Sequence, residues 1–156
     1  MRFSIIIALA PWRDAEILQS LAKMDYPKNG FEIIIQKGLN VPTNRNRGIR
    51  RSKGEILVFL DDDAQVNPDF LKNLDSFFKK YPSIDIVGGP QLTPENDGIF
   101  ARISGYALSD IFCAATLRKR YFTAPFTLNA DHTYITGANF ATRKAVFKTF
   151  SFESEI

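Results

Sequence analysis

The chain has 156 residues, 45% hydrophobic and 24% charged, which suits one compact domain with a buried core and excludes a disordered chain. A formal net charge of +3 calls for neither nucleic acid nor an anionic membrane as a partner. The single cysteine, Cys113, excludes an internal disulfide and a thiolate metal site and reads as a buried, inert thiol. No apolar stretch approaches the roughly 20 residues of a membrane span and no signal-peptide pattern opens the chain, so the expected setting is cytoplasmic.

In chain order, residues 3–9 are an apolar strand. A helix is expected from about Asp14, with Ile17, Leu18, Leu21 and Met24 on one face, ending at Tyr26-Pro27. A second strand covers 31–35, and a helix runs from about Thr43 to Gly54 with Arg45, Arg47, Arg50, Arg51 and Lys53 along it. Residues 56–60, Ile-Leu-Val-Phe-Leu, are apolar at every position, as in a central parallel strand covered on both faces. Asn67 and Pro68 suit the cap and first position of a helix whose Phe70, Leu71, Leu74, Phe77, Phe78 and Tyr81 repeat at helical spacing before Pro82. A fourth strand, 84–87, closes on Gly88-Gly89-Pro90. The alternation implies an α/β fold with a mostly parallel sheet flanked by helices, residues 1–90 forming a ligand-binding βαβ half of a single domain.

Beyond residue 90 the pattern loosens. A loop over 91–98 leads to an amphipathic helix over 99–117 interrupted by Gly105, then a strand over 134–141 and a short helix over 144–150. Phe112, Leu117, Tyr121, Phe122 and Phe126 would leave an apolar patch unless something covered them. Packing into this domain's own core is the simplest expectation, with a second subunit, the rest of a longer chain or a lipid-linked ligand as the alternatives.

Ligands of open parallel sheets bind beyond the carboxyl ends of the strands. Those ends carry Pro11-Trp12-Arg13, Gln36-Lys37-Gly38, Asp61-Asp62-Asp63 and the glycine pair. Confined carboxylates need a countercharge, and Mg²⁺ or Mn²⁺ supplies one through oxygen ligation. Asp61 and Asp63 would point the same way in extended chain. A solvated acidic turn is the plainer alternative. A haloacid-dehalogenase phosphatase is excluded by Gln65 where Thr or Val belongs, and an EF-hand by the buried strand ahead of the acids and by Pro68 and Phe70 behind them.

Three segments in order carry a resemblance: Asn44-Arg45-Asn46-Arg47-Gly48-Ile49, then Lys53-Gly54-Glu55 with the apolar strand into Asp61-Asp62-Asp63, then Thr136-Gly137-Ala138-Asn139-Phe140-Ala141. Together they resemble family 2 glycosyltransferases of the GT-A fold across residues 3–150. The resemblance implies transfer of a sugar from a UDP- or GDP-sugar to a saccharide or lipid-linked acceptor, metal-dependent and inverting. It gives the metal to Asp61 and Asp63, with Asp61 and Asp62 sharing metal and ribose contacts. Arg45 approaches the nucleotide, Ala10 and Pro11 line the base and ribose, and Gly137 and Asn139 face the donor sugar or acceptor. Two departures are specific to this chain. Arg13 stands where the family has Asn, and Gln36 or Lys37 where it has an acid that pairs with the base; the amide of Gln36 can both donate to and accept from a uracil edge.

The family's catalytic base follows a Phe-acid lead-in similar to Phe152-Glu153. Glu153 and Glu155 read as solvated acids, so the base is expected beyond residue 156 and the chain would bind donor without efficient transfer. His132 reads as a loop histidine with no metal role. Homodimerisation, and membrane association at the inner face through regions outside these residues, are the remaining partner expectations. The alternative function is a non-catalytic sugar-nucleotide-binding or assembly module. A sugar nucleotidyltransferase would need a Gly-rich phosphate loop where residues 8–13 read Ala-Leu-Ala-Pro-Trp-Arg.

Overall fold

A computed structural model describes residues 1–94, 97–123, 125–128, 130, 131 and 133–153. The chain forms two compact units, one of residues 1–86 with 141–156 and one of residues 87–140. Five strands make one sheet in the order β2-β1-β3-β5-β4.

In the first unit, β1 (Phe3–Leu9) lies between β2 (Phe31–Lys37) and β3 (Ile56–Leu60). Both pairings are parallel, with Ile6 opposite Ile34 on one side and Phe59 on the other. Every residue of β3 is buried, as its unbroken hydrophobicity requires of a strand covered on both faces. Covering comes from different elements on alternate side chains. On one face α2 (Val41–Arg51) approaches so closely that a Cβ at Gly48 would lie 2.5 Å from Ile6 Cγ2. On the other, Phe3 packs edge-on against Tyr26 at 5.4 Å.

Asn40 starts α2, its side chain accepting from the Thr43 N–H at 2.8 Å, with Pro42 in the first turn and Arg50 and Arg51 in the last. These fit the dipole at both ends. The helix expected near Asp14 reduces to α1 (Leu18–Leu21). Ile17, Leu21 and Met24 are buried while Leu18 is exposed, because positions 17, 21 and 24 share a helical face and 18 does not. In α3 (Phe70–Lys80), Leu71 and Phe78 form the buried stripe. Asn67 does not cap it: its carbonyl accepts from the Phe70 N–H in a turn before the helix, and Asp69 holds the cap position without a side-chain bond.

β4 (Ile86–Gly88) is shorter than expected, and β5 (Asn139–Arg143) begins later than the strand read over 134–141. A 3₁₀ helix, Lys144–Lys148, follows β5. Residues 141–153 pack into the first unit: the Lys144 N–H donates to Glu55 O, and Phe147 and Phe152 both meet the ring of Phe59.

In the second unit, α4 (Ile99–Ser109) runs through Gly105, and the break comes at Asp110, which caps α5 (Ile111–Ala114) by accepting from the Phe112 N–H. Neither helix buries a residue. Two expectations fall with that finding. Cys113 is exposed, and Phe112, at 96% exposure, Leu117 and Phe126 lie on the surface rather than in a core. The residues were apolar enough for a core, but no opposing layer stands over them among the described residues. No helix there is long and apolar enough to cross a membrane.

Candidate functional site

The carboxyl rim of β1, β2 and β3 gathers Arg13, Lys37, Arg45 and the three acids at 61–63. After β1, residues 10–13 form a turn closed by the Arg13 N–H donating to Ala10 O at 3.1 Å. Pro11, at the second position, presets the backbone angle such a turn needs. Trp12, between them, is exposed. Lys37, the last residue of β2, donates from Nζ to Arg13 O at 3.5 Å, and Gly38 N–H donates to Leu9 O.

β3 stops at Leu60, and Asp62 and Asp63 lie in a turn, so the alternation that would aim Asp61 and Asp63 together does not extend to them. Asp62 is 7% exposed, Asp63 is exposed and Asp61 lies between. The Asp62 carbonyl accepts from the Ile17 N–H at 3.0 Å, which ties the acidic turn to the start of α1.

Two arginines meet the three acids. Arg13 Nε lies 2.6 Å from Asp62 Oδ2, and a terminal nitrogen of the same guanidinium donates to Asp63 Oδ2 at 3.0 Å. Despite the first distance, Asp62 Oδ2 is a buried oxygen with no hydrogen bond. The charges touch, but the N–H is not directed at the oxygen, and a hydrogen bond weakens steeply with that angle. Arg45 reaches Asp61 at 3.7 Å, too long for a hydrogen bond. Burial pushes the Asp61 carboxyl above its usual range; Arg45 opposes this, while Asp63 and Asp62 add to it. Burial likewise pushes Arg45 below its ordinary value, with Asp61 opposing. Both partners are thus driven toward neutrality, so their mutual attraction undercompensates the loss of water. Arg13 moves the other way, raised by its hydrogen bond to Asp63 and its attraction to Asp62.

Among the described residues no three His, Cys, Asp or Glu groups converge as a metal cage. The acids nonetheless fit a hard cation: they are oxygen donors, one is buried without a hydrogen bond, and Mg²⁺ commonly takes one or two carboxylates and completes its shell with water and phosphate oxygens.

One feature of the rim was not legible beforehand. Asn46 donates from Nδ2 to Phe152 O at 2.8 Å and accepts from the Phe152 N–H at 3.0 Å, clipping the returning chain to α2 as a strand partner would. The Arg45 guanidinium lies over the same Phe152 ring at 5.4 Å. Phe152-Glu153 is therefore fixed beside the residue that meets Asp61. The sequence held Asn46 inside a recognisable segment, but its partner is 106 residues away.

Of the other candidates, Gln36 is buried at the end of β2, opposite Ala8, and its amide N–H donates to Ile35 O. Gly137 and Asn139 belong to the second unit. There Asn139 donates to Pro90 O and accepts from the Gly89 N–H. Glu153 is exposed; His132 and Glu155 lie outside the described residues.

An α/β domain with parallel strands, an acidic turn after a fully buried strand and arginines facing it fits a glycosyltransferase domain of the GT-A type. The model of Glycosyl transferase family 2 matches residues 11–150, and the chain belongs to that family. Among relatives, poly(ribitol-phosphate) beta-N-acetylglucosaminyltransferase TarS of Staphylococcus aureus (strain Mu50 / ATCC 700699) is 26% identical over 113 residues, covering 53% of this chain and 20% of that protein. The crystal structure of S. aureus TarS 1–349 with UDP-GlcNAc superposes with a TM-score of 0.64 at 21% identity, covering 95% of this chain and 47% of that one. Mannosyltransferase PcManGT from Pyrobaculum calidifontis, solved with GDP-Man and Mn²⁺, gives 0.54 at 16% identity over 97% of this chain and 48% of that one. These structural likenesses show the fold. The chain spans about half of those solved structures.

Proposed function

We propose that this domain binds a UDP- or GDP-sugar through a Mg²⁺ or Mn²⁺ ion at Asp61 and Asp63, and that the protein transfers the sugar, with inversion, to a saccharide or lipid-linked hydroxyl. The observation that carries the reading is the Arg45–Asp61 pair. Its two members sit 3.7 Å apart and burial drives both toward neutrality. A cation bound to a diphosphate relieves both at once, the ion compensating Asp61 and the phosphate oxygens compensating Arg45. The UDP-GlcNAc and the GDP-Man with Mn²⁺ in the two solved relatives support the same class of ligand.

In this reading the turn at Ala10 and Pro11 lines base and ribose, Gln36 offers its amide oxygen to the base, and Asp62 shares the metal and ribose contacts. Gly137 and Asn139 serve the donor sugar and acceptor. When bound, the ion supplies Lewis-acid stabilisation of the departing diphosphate. The chain's own residues do the rest. Arg45 orients the phosphates, and Asn46 holds Phe152 so that the chain beyond it, where an acidic base is proposed, enters beside the donor. The proposed setting is the cytoplasm, at the inner membrane face where the acceptor is lipid-linked.

Calorimetry with UDP and GDP, each with and without Mn²⁺, tests this: binding of one nucleotide that depends on the ion is expected, and binding of neither contradicts it. A second reading, a sugar-nucleotide-binding module without transfer, draws on Gln36, whose amide N–H is already engaged by Ile35 O and which has no carboxylate to offer the base. Nucleotide binding with no sugar transfer by the full-length protein would favour it.

A further inference from the structure

Arg13 stands at a position where the resemblance implies Asn, and it sits on the acids. Its guanidinium does not grip one carboxylate with two parallel bonds, the strong arrangement for arginine. It spans two carboxylates instead, 2.6 Å from Asp62 Oδ2 and 3.0 Å from Asp63 Oδ2. The contact with Asp62 compensates charge without providing a hydrogen bond, leaving Oδ2 buried and unsatisfied. Metal coordination makes no comparable demand on an N–H direction, so a small cation fits that oxygen better than the guanidinium does. Arg13 is also free to leave, because its side chain is 45% exposed and its anchor is a surface turn held through its backbone by Ala10 and Lys37.

We propose that Arg13 is a resident counter-cation: it occupies Asp62 and Asp63 in the nucleotide-free protein, yields them to the divalent ion, and turns to the diphosphate that arrives with it. The inference rests on the metal-dependent reading above. Its consequence is a coupling between the two ligands. Metal alone must displace a guanidinium into water, whereas metal with nucleotide gives that guanidinium a new anionic partner. Nucleotide therefore strengthens metal binding, and metal strengthens nucleotide binding by the same factor. Removing the arginine weakens that coupling.

The experiment measures free Mn²⁺ by electron paramagnetic resonance during titration of the full chain and its Arg13→Gln variant, each without nucleotide and with saturating UDP or GDP, whichever binds. Loss of one exposed ion pair, with Asp63, and one with the buried Asp62 predicts Mn²⁺ binding roughly threefold to tenfold tighter in Arg13→Gln without nucleotide, and a nucleotide-induced gain smaller than in the wild type. Arg13→Lys, which keeps the charge, stays near wild type for Mn²⁺ alone. Equal or weaker Mn²⁺ binding by Arg13→Gln, with nucleotide-dependent binding intact in the wild type, overturns the counter-cation and leaves the metal site standing. If no protein binds Mn²⁺ even with nucleotide, the metal-dependent reading itself fails, and this inference with it.

Discussion

The two ends of β1 and β3 carry similar numbers of charges and treat them in opposite ways. At the amino end, Ser4 donates to Glu32 Oε1 at 2.6 Å and accepts from the Gly54 N–H at 2.8 Å, while the Lys53 N–H donates to the same carboxylate. Arg2 joins Asp75 and Glu55, and Lys79 joins Asp75 from the next turn of α3. Burial alone would raise Glu32 and Asp75, but hydrogen bonds outweigh it: from Ser4 and Lys53 for Glu32, and from Lys79 and Arg2 for Asp75. Both end below the usual carboxylate range. At the carboxyl end, burial wins over Arg45 and raises Asp61, and Asp62 keeps an oxygen without a hydrogen bond. One end is satisfied by the fold alone; in the proposed function a ligand completes the other.

Substitutions should separate the two ends. The largest effect is expected from Asp63→Ala, which should weaken Mn²⁺-dependent nucleotide binding on the order of 100-fold, as loss of a metal ligand or its support commonly does. The melting temperature should barely move, since Asp63 is exposed. Ser4→Ala inverts the pattern. It takes one hydrogen bond from the half-buried Glu32 carboxylate, which keeps the Lys53 N–H, and removes the Ser4 acceptor of the buried Gly54 N–H. The change should cost about 1–3 kcal/mol in urea unfolding, with nucleotide affinity unchanged. A loss of nucleotide binding in folded Ser4→Ala would erase the division of labour.

Acid sharpens the contrast. Glu32 and Asp75 have folded values below their unfolded ones, so their stabilisation is present above the ordinary carboxylate range near pH 4 and is lost as pH falls through the lowered values. Glu32→Gln should therefore lower stability at pH 7 and flatten the acid limb of the melting profile. The smallest effect belongs to Asp61. Its folded value is raised, so ionisation at neutral pH works against the fold, and Asp61→Asn should raise stability by less than about 1 kcal/mol given the group's exposure. Chemical denaturation in ligand-free buffer measures it, and a clear loss of stability would contradict the assignment.

Much of this arrangement was legible in the sequence because it rests on local pattern. The uninterrupted apolar run of β3 placed the acids at the end of a central strand, and the spacing of Leu71 and Phe78 fixed α3. What escaped depends on partners distant along the chain. The Asn46–Phe152 clip joins two segments that no periodicity connects, and the pairing of Arg13 with the acids requires knowing which loops meet. The shared aim expected of Asp61 and Asp63 rests on strand alternation, and that ends at Leu60. Cys113 and the aromatics of α5 and beyond were read as core from their composition, and composition does not say whether an opposing layer is present.

The most direct test of the account uses Mn²⁺ as a paramagnetic probe in amide NMR of the chain with saturating nucleotide. Signals of residues 10, 12, 13, 45 and 61–63 should broaden at substoichiometric ion while those of Ser4, Glu32 and Asp75 stay sharp. Broadening centred on the amino end, or none at the acidic turn, would contradict it.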